Sequence, residues 1–323
     1  LDSLLQPTGP LKKAQEMAAK AYGSQHTYFV TNGTSTANKI VMQGLVAPGD
    51  LVLIDRDCHK SHHYGLVLSG AYPVYLDSYP VVEYSMYGAV PLEHILEKLA
   101  EIKKAGQLDR VKMLILTNCT FDGIVYNVEK VMEAVLAIKP DMIFLWDEAW
   151  FAFAGFTHIY KQRTGMFVAN QLRKKYESPA YSELYQKNLS VKNKLAMPDP
   201  DLVKIRVYST QSTHKTLSAL RQGSMIHIYD EEFKRKSEDS FHEAYMTHTS
   251  TSPNYQILGS LDAGRRQVQF EGYEMVEKSI EMAMVLRQKI DSHPKLNKYF
   301  EVLTVRNFIP PKYRASGIAE YFK

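Results

Sequence analysis

The sequence predicts an α/β protein built on an open, mostly parallel sheet with helices on both faces. Two observations predict it. Short continuous apolar runs, such as 51–55 (Leu-Val-Leu-Ile-Asp) and 111–117 (Val-Lys-Met-Leu-Ile-Leu-Thr), lack the alternation of a strand with one wet face. Both of their faces should therefore be covered. Between these runs lie stretches with apolar residues at helical spacing, which suits parallel strands joined by crossover helices.

Taken in chain order, residues 11–22 read as a helix, and 34–46 as a second helix opening directly after Gly33. Residues 51–55 read as a buried strand, 59–69 as a helix and 72–76 as a strand. Residues 91–105 begin with a proline at the first helical position, the usual start signal. Strand 111–117, helix 127–138 and strand 142–147 follow. Residues 157–201 are polar and rich in Lys and Tyr, and read as a surface excursion between two core strands. Strands are expected at 204–210 and 224–229, and a long helix near 270–290. The segment Phe-Glu-Val-Leu-Thr-Val (300–305) reads as the first strand of a smaller α+β C-terminal domain that stops short at Lys323. The expected division is a major domain over 1–270, then a connecting helix and the beginning of a small domain over 271–323.

Composition bounds the function. The chain is 45% hydrophobic and 23% charged, with a net charge of +4 spread along its length. That weak bias points to no nucleic-acid partner. No apolar run approaches the roughly 20 residues of a membrane span, and the N-terminus has no secretory pattern. The missing initiator Met reads as a start inside a longer protein. The two cysteines, Cys58 and Cys119, offer neither a metal spacing nor a disulfide framework and fit a reducing, cytoplasmic setting. No metal site is expected.

Four local patterns carry chemistry, and ligands of open α/β sheets sit beyond the carboxyl ends of the strands. Thr31-Asn-Gly-Thr-Ser-Thr36 places a tight turn and hydroxyls before a helix. Such a start binds phosphate through free N–H groups, although Ser and Thr also cap helices that bind nothing. Asp147 ends a buried strand, where a lone carboxylate needs a partner. A protonated pyridine nitrogen would serve, and so would a structural Arg. Lys215 follows the strand at 204–210, within Ser212-Thr-His214-Lys215. Desolvation can prepare such a lysine for Schiff-base chemistry, or it can be an ordinary loop lysine. Asp57-Cys-His59-Lys-Ser-His62-His63 holds three histidines in five residues, open to a metal reading or to an imidazole stacked on a planar cofactor. The order of these patterns, from glycine turn to strand-end Asp to strand-end Lys, is the one expected of pyridoxal-phosphate (PLP) enzymes of the aspartate-aminotransferase fold.

The strings at 31–40, 54–61, 212–215 and 248–253, with Pro7-Thr-Gly-Pro10, resemble the bacterial ornithine/lysine/arginine decarboxylase family over most of residues 5–270. The resemblance implies a PLP-transferase fold of type I and PLP as cofactor. It implies that Lys215 forms the Schiff base with His214 beside it, that Asp147 pairs with the pyridine nitrogen, and that His59 stacks on the ring. Ala149 and Trp150 would line the same wall. Thr34, Ser35 and Ser212 would hold the phosphate, and Ser250 would reach the phosphate of a neighbouring subunit. A homodimer, or a higher assembly containing it, would then share its active sites. The implied reaction is decarboxylation of arginine, lysine or ornithine to the amine and CO2. The rivals are aminotransfer or another PLP-dependent lyase reaction on the same fold, and a non-catalytic PLP-binding module. Glu148 after the strand-end Asp looks closer to the arginine branch of the family, whose members also carry an N-terminal wing domain and a full C-terminal domain.

Overall fold

A computed structural model of the chain describes residues 2–191 and 195–314. Among the described residues nine strands form, in chain order: β1 (His26–Val30), β2 (Leu51–Asp55), β3 (Tyr72–Leu76), β4 (Pro80–Val81), β5 (Met86–Tyr87), β6 (Val111–Thr117), β7 (Ile143–Asp147), β8 (Arg206–Gln211) and β9 (Ser224–Asp230). Seven of them make one sheet in the order β1-β9-β8-β7-β6-β2-β3, and β4 and β5 pair separately. Strands β3, β2, β6, β7 and β8 run parallel, with Asp147 opposite Thr117 on one side and Thr210 on the other. Strand β9 is antiparallel to both β8 and β1.

Helices cover both faces: α1 (Pro10–Tyr22), α2 (Thr34–Leu45), α3 (Lys60–Ser69), α4 (Leu92–Lys104), α5 (Val128–Leu136), α6 (Gly165–Tyr176), α7 (Pro179–Leu189), α8 (Thr213–Thr216), α9 (Glu238–His248), α10 (Tyr255–Ser292) and α11 (Val305–Phe308). Alternate residues of each buried strand feed opposite layers. Leu114 and Leu116 pack into a core with Ile95 and Leu99 of α4 and Val131 and Val135 of α5. Met113 and Ile115 face a second core with Ala18 of α1, Ile40 and Val41 of α2, and Phe241 of α9. This two-sided burial is the physical reason the strands read as unbroken apolar runs.

Three expectations are corrected. Residues 157–201 are not simply a surface excursion: α6 packs on the sheet through the buried Met166, Val168, Ala169 and Leu172. It is the crossover between β7 and β8, and its core stripe is masked in sequence by Arg173-Lys174-Lys175. Residues 300–305 form no strand. Thr304 instead caps α11 by a reciprocal capping box with Asn307, and the chain folds back on the major domain. Ile309 is buried there, Tyr313 stacks on Tyr79 at 4.8 Å, and the Tyr79 hydroxyl donates to the Phe308 carbonyl at 3.0 Å. Residues 315–323 of the expected small domain lie outside the described residues. Finally, the long helix α10 starts well before 270, where Asn254 caps it by accepting from the Ile257 N–H. Its buried residues end at Gly272, so its second half projects Met282, Met284 and Leu286 into solvent. Strand β1 has no counterpart in the sequence reading. It is a five-residue edge strand opened by the polar His26 and Thr27.

Helices α2 and α9 meet at Gly44, where a Cβ would lie 2.8 Å from the Phe241 Cα. Backbone cannot yield as a side chain can. Gly44→Ala should therefore destabilise the fold by about 1–3 kcal/mol, read as a lower urea midpoint at unchanged slope.

Candidate active site

The carboxyl ends of five strands converge on one cavity of about 580 Å³. Thr34 and Ser35 reach it after β1, His59 after β2, Thr117 at the end of β6, Asp147 at the end of β7 and Lys215 after β8. Ala149, Trp150, Ser212 and His214 line it too. Nine of the ten residues singled out from sequence thus share one space. Ser250 does not line it and sits in the exposed loop between α9 and α10.

One end of the cavity is built from hydroxyls and a helix start. Gly33 has φ 79° and ψ 167°, a region essentially closed to other residues. Its N–H donates to the Gln222 carbonyl at 2.8 Å, and no atom lies within 4 Å of where a Cβ would stand. Behind it α2 begins without a side-chain cap, so its first N–H groups are available to an anion. Thr34 Oγ1 lies 2.6 Å from Ser212 Oγ and donates to Ser224 Oγ at 3.2 Å, which binds the turn to β8 and β9.

The floor of the cavity is Asp147. Burial pushes its carboxyl up, but donors more than offset this and hold it below the usual range. His62 Nε2 donates to Oδ2 at 2.8 Å, Asn38 Nδ2 donates to the same oxygen at 2.9 Å, and the Ala149 N–H donates to Oδ1 at 3.1 Å. Asn38 is fixed in turn by the Thr210 hydroxyl, which donates to its Oδ1 at 2.6 Å. Asp147 is therefore a preorganised buried anion. Among the described residues the titratable side chain bonded to it is a histidine rather than an arginine.

The three histidines of the 59–63 stretch diverge. His62 is fully buried against Asp147. His63 Nε2 lies 3.7 Å from Cys58 Sγ, and its ring tilts against Tyr75. His59 faces the cavity. Its Nδ1 accepts the Ser61 N–H at 3.2 Å, and burial lowers its pKa against the pull of Asp147. It is thus a neutral ring with its proton on Nε2. His214 Nδ1 lies 2.9 Å from the Gly223 carbonyl. A carbonyl only accepts, so Nδ1 carries a proton. The Lys215 amino group lies 4.3 Å from the centre of the Trp150 ring, and Phe121 meets that ring edge-on. Partial burial lowers the Lys215 pKa, and the charge of Asp147 opposes that shift.

Sequence reasoning missed Asn38, His62, Thr210 and the role of Glu148. The first three hold Asp147 from α2, α3 and β8. The only local signal is the three-residue step from His59 to His62, which puts His62 on the inner face of α3. Glu148 is fully buried and does not line the cavity. It accepts from the Gly165 N–H at 2.7 Å and Gln211 Nε2 at 2.8 Å, which ties α6 to β8. It does not line the cavity, so its role here is structural.

Fold and site together define a lysine-bearing α/β domain with an anion cradle and a buried carboxylate. The chain belongs to the Orn/Lys/Arg decarboxylase family, whose major-domain model matches residues 1–177 and 179–312. Lysine decarboxylase LdcA of Pseudomonas aeruginosa is 36% identical over 297 residues, covering 90% of this chain and 35% of that protein. The biodegradative arginine decarboxylase of Escherichia coli is 31% identical over 305 residues, covering 89% of this chain and 35% of the relative. In structure, the Francisella novicida lysine decarboxylase LdcF superposes with a TM-score of 0.69 at 31% identity, over 93% of this chain and 36% of that one. The chain therefore spans about a third of the length of these relatives.

Glu148 gives this site a pH signature. Burial pushes its carboxyl from 4.5 up to about 7, partly countered by the Gly165 N–H, Gln211 and Asn118. A raised folded pKa means that the fold favours the protonated acid. That stabilisation is complete below about pH 4.5 and is lost as pH rises through about 7. Its size is roughly 3 kcal/mol. Glu148→Gln should remove this slope, so urea unfolding from pH 4.5 to 8 should show wild type losing stability relative to the variant.

Proposed function

We propose that the chain is the catalytic core of a PLP-dependent decarboxylase that converts a basic L-amino acid and a proton to the amine and CO2. One observation carries this reading. The Lys215 amino group and the ionised, fully buried Asp147 face the same cavity, with an open glycine-and-hydroxyl cradle at its end.

The donors and charges of these residues suit the cofactor. Lys215 Nζ would attach it covalently, and Thr34, Ser35, Ser212 and the start of α2 would hold its phosphate. Asp147, kept anionic by His62 and Asn38, would hold a proton on the ring nitrogen. The neutral His59 would cover one ring face without placing a competing cation there, while Ala149 and Trp150 line the wall. PLP, when bound, supplies an electron sink next to the substrate α-carbon. The Trp150 ring stands beside the Lys215 amino group, and Phe121 meets that ring edge-on. The ammonium form of Lys215, or His214 when its Nε2 carries a proton, would be the cavity group that returns a proton to the α-carbon.

The basic substrate class rests on a second feature. Asp57 and Asp122 line the cavity mouth, and burial together with the Asp122 charge raises the Asp57 carboxyl. Neither side chain has an ion pair with a described Lys or Arg. Two unneutralised carboxylates at one rim suit the distal cation of lysine, ornithine or arginine. Ser250, exposed and away from this cavity, suits delivery to the site of a second copy, which makes a homodimer the functional unit. Residues 271–323 would lead into a second, smaller domain.

Lys215→Ala should abolish both the visible absorbance of bound PLP and CO2 release. Full turnover in that variant, or keto-acid formation without CO2 in wild type, would contradict the assignment. Asp57→Asn with Asp122→Asn should raise KM for a dibasic amino acid about tenfold, as expected for losing roughly 1.4 kcal/mol of charge pairing. Their kcat should change little, as steady-state kinetics will show.

A further inference from the structure

We infer that Arg221 is a second, charged anchor for the cofactor phosphate. The inference rests on the PLP reading above. Arg221 lines the same cavity as Gly33, Thr34, Ser35 and Ser212, and its guanidinium has no ion pair or hydrogen bond to any described residue. The residues flanking it in the turn are held from three sides. The Gln222 carbonyl accepts the Gly33 N–H at 2.8 Å, which joins this turn to the cradle itself. The Gly223 carbonyl accepts from the His214 backbone at 3.2 Å and from its ring at 2.9 Å. The Leu220 N–H donates to Ser260 Oγ of α10 at 3.0 Å. Gln222 adopts φ 75°, a left-handed conformation unusual for a side-chain-bearing residue. Such backbone persists where its surroundings over-determine it, and it recurs at ligand clamps.

Charge decides what this clamp is for. The rest of the cradle offers hydroxyls and a helix start worth about half a positive charge, against a phosphate close to dianionic. The other non-histidine cation in the cavity wall is Lys215, which covalent attachment of the cofactor occupies. Arg221 supplies the missing full charge, in a fork suited to phosphate. The competing anion is the substrate α-carboxylate. An arginine there would stabilise the very group that must lose its charge as CO2, binding the ground state more tightly than the transition state. The geometry therefore points to the phosphate.

The test compares PLP with pyridoxal, its phosphate-free form, titrated into apo protein and followed by absorbance. Arg221→Gln should weaken PLP binding about tenfold or more, the scale of a lost charge-assisted hydrogen bond. Its affinity for pyridoxal should stay within about twofold of wild type by the same measure. Arg221→Lys should recover part of the PLP loss. Equal losses for both ligands, or no loss for PLP, would overturn the assignment. Intact PLP affinity with a raised substrate KM would reassign Arg221 to the α-carboxylate. A wild-type protein that takes up neither ligand fails at the earlier step, the PLP reading, and brings this inference down with it.

Discussion

The buried carboxylate of Asp147 is the constraint on which the rest of the site depends. A carboxylate taken out of water without partners reverts to the neutral acid. Here three donors from separate elements prevent that: His62 from α3, Asn38 from α2 and the Ala149 N–H beyond β7. Each donor requires its element to dock in one register. The parallel pairing that sets Asp147 beside Thr117 and Thr210 also brings the Thr210 hydroxyl to Asn38. The anion and the sheet register are therefore one arrangement, and shifting either would expose an unpaired polar group in the core.

A second polar layer lies behind the first. Glu148 points away from the cavity and fastens the start of α6 to the end of β8 through Gly165 and Gln211. Gln211 Oε1 lies 3.1 Å from His227 Nε2 on β9, and His227 Nδ1 lies 2.8 Å from Thr27 Oγ1 on β1. Neighbouring residues of one strand end thus divide the work. Asp147 addresses the ligand space, and Glu148 locks the strand ends that present it. Because successive strand residues face opposite sides, this division follows from the pleat.

Much of this was legible in sequence because apolar runs have few alternatives. The bounds of β2, β3 and β6 match the predicted ones, and nine of the ten expected site residues meet in one cavity. What stayed hidden depends on tertiary contact. Nothing local marks Asn38 as a partner of Asp147, and only the step from His59 hints at His62, since they lie 109 and 85 residues away along the chain. The core face of α6 is obscured by its basic outer residues, and β1 by its polar opening. The Phe300–Val305 stretch has strand-like composition, but a capping box at Thr304 and the docking of Ile309 and Tyr313 draw it elsewhere. The structural role of Glu148 was equally hidden, because its partners Gly165 and Gln211 lie on elements distant in sequence.

The central claim is that Lys215, and no other lysine, carries the cofactor above Asp147. Its most direct test is borohydride reduction of the PLP-treated wild-type protein, followed by peptide mapping by mass spectrometry. The account predicts a single phosphopyridoxyl group on the peptide containing Lys215. Labelling of a different lysine, or no stoichiometric label, would contradict it.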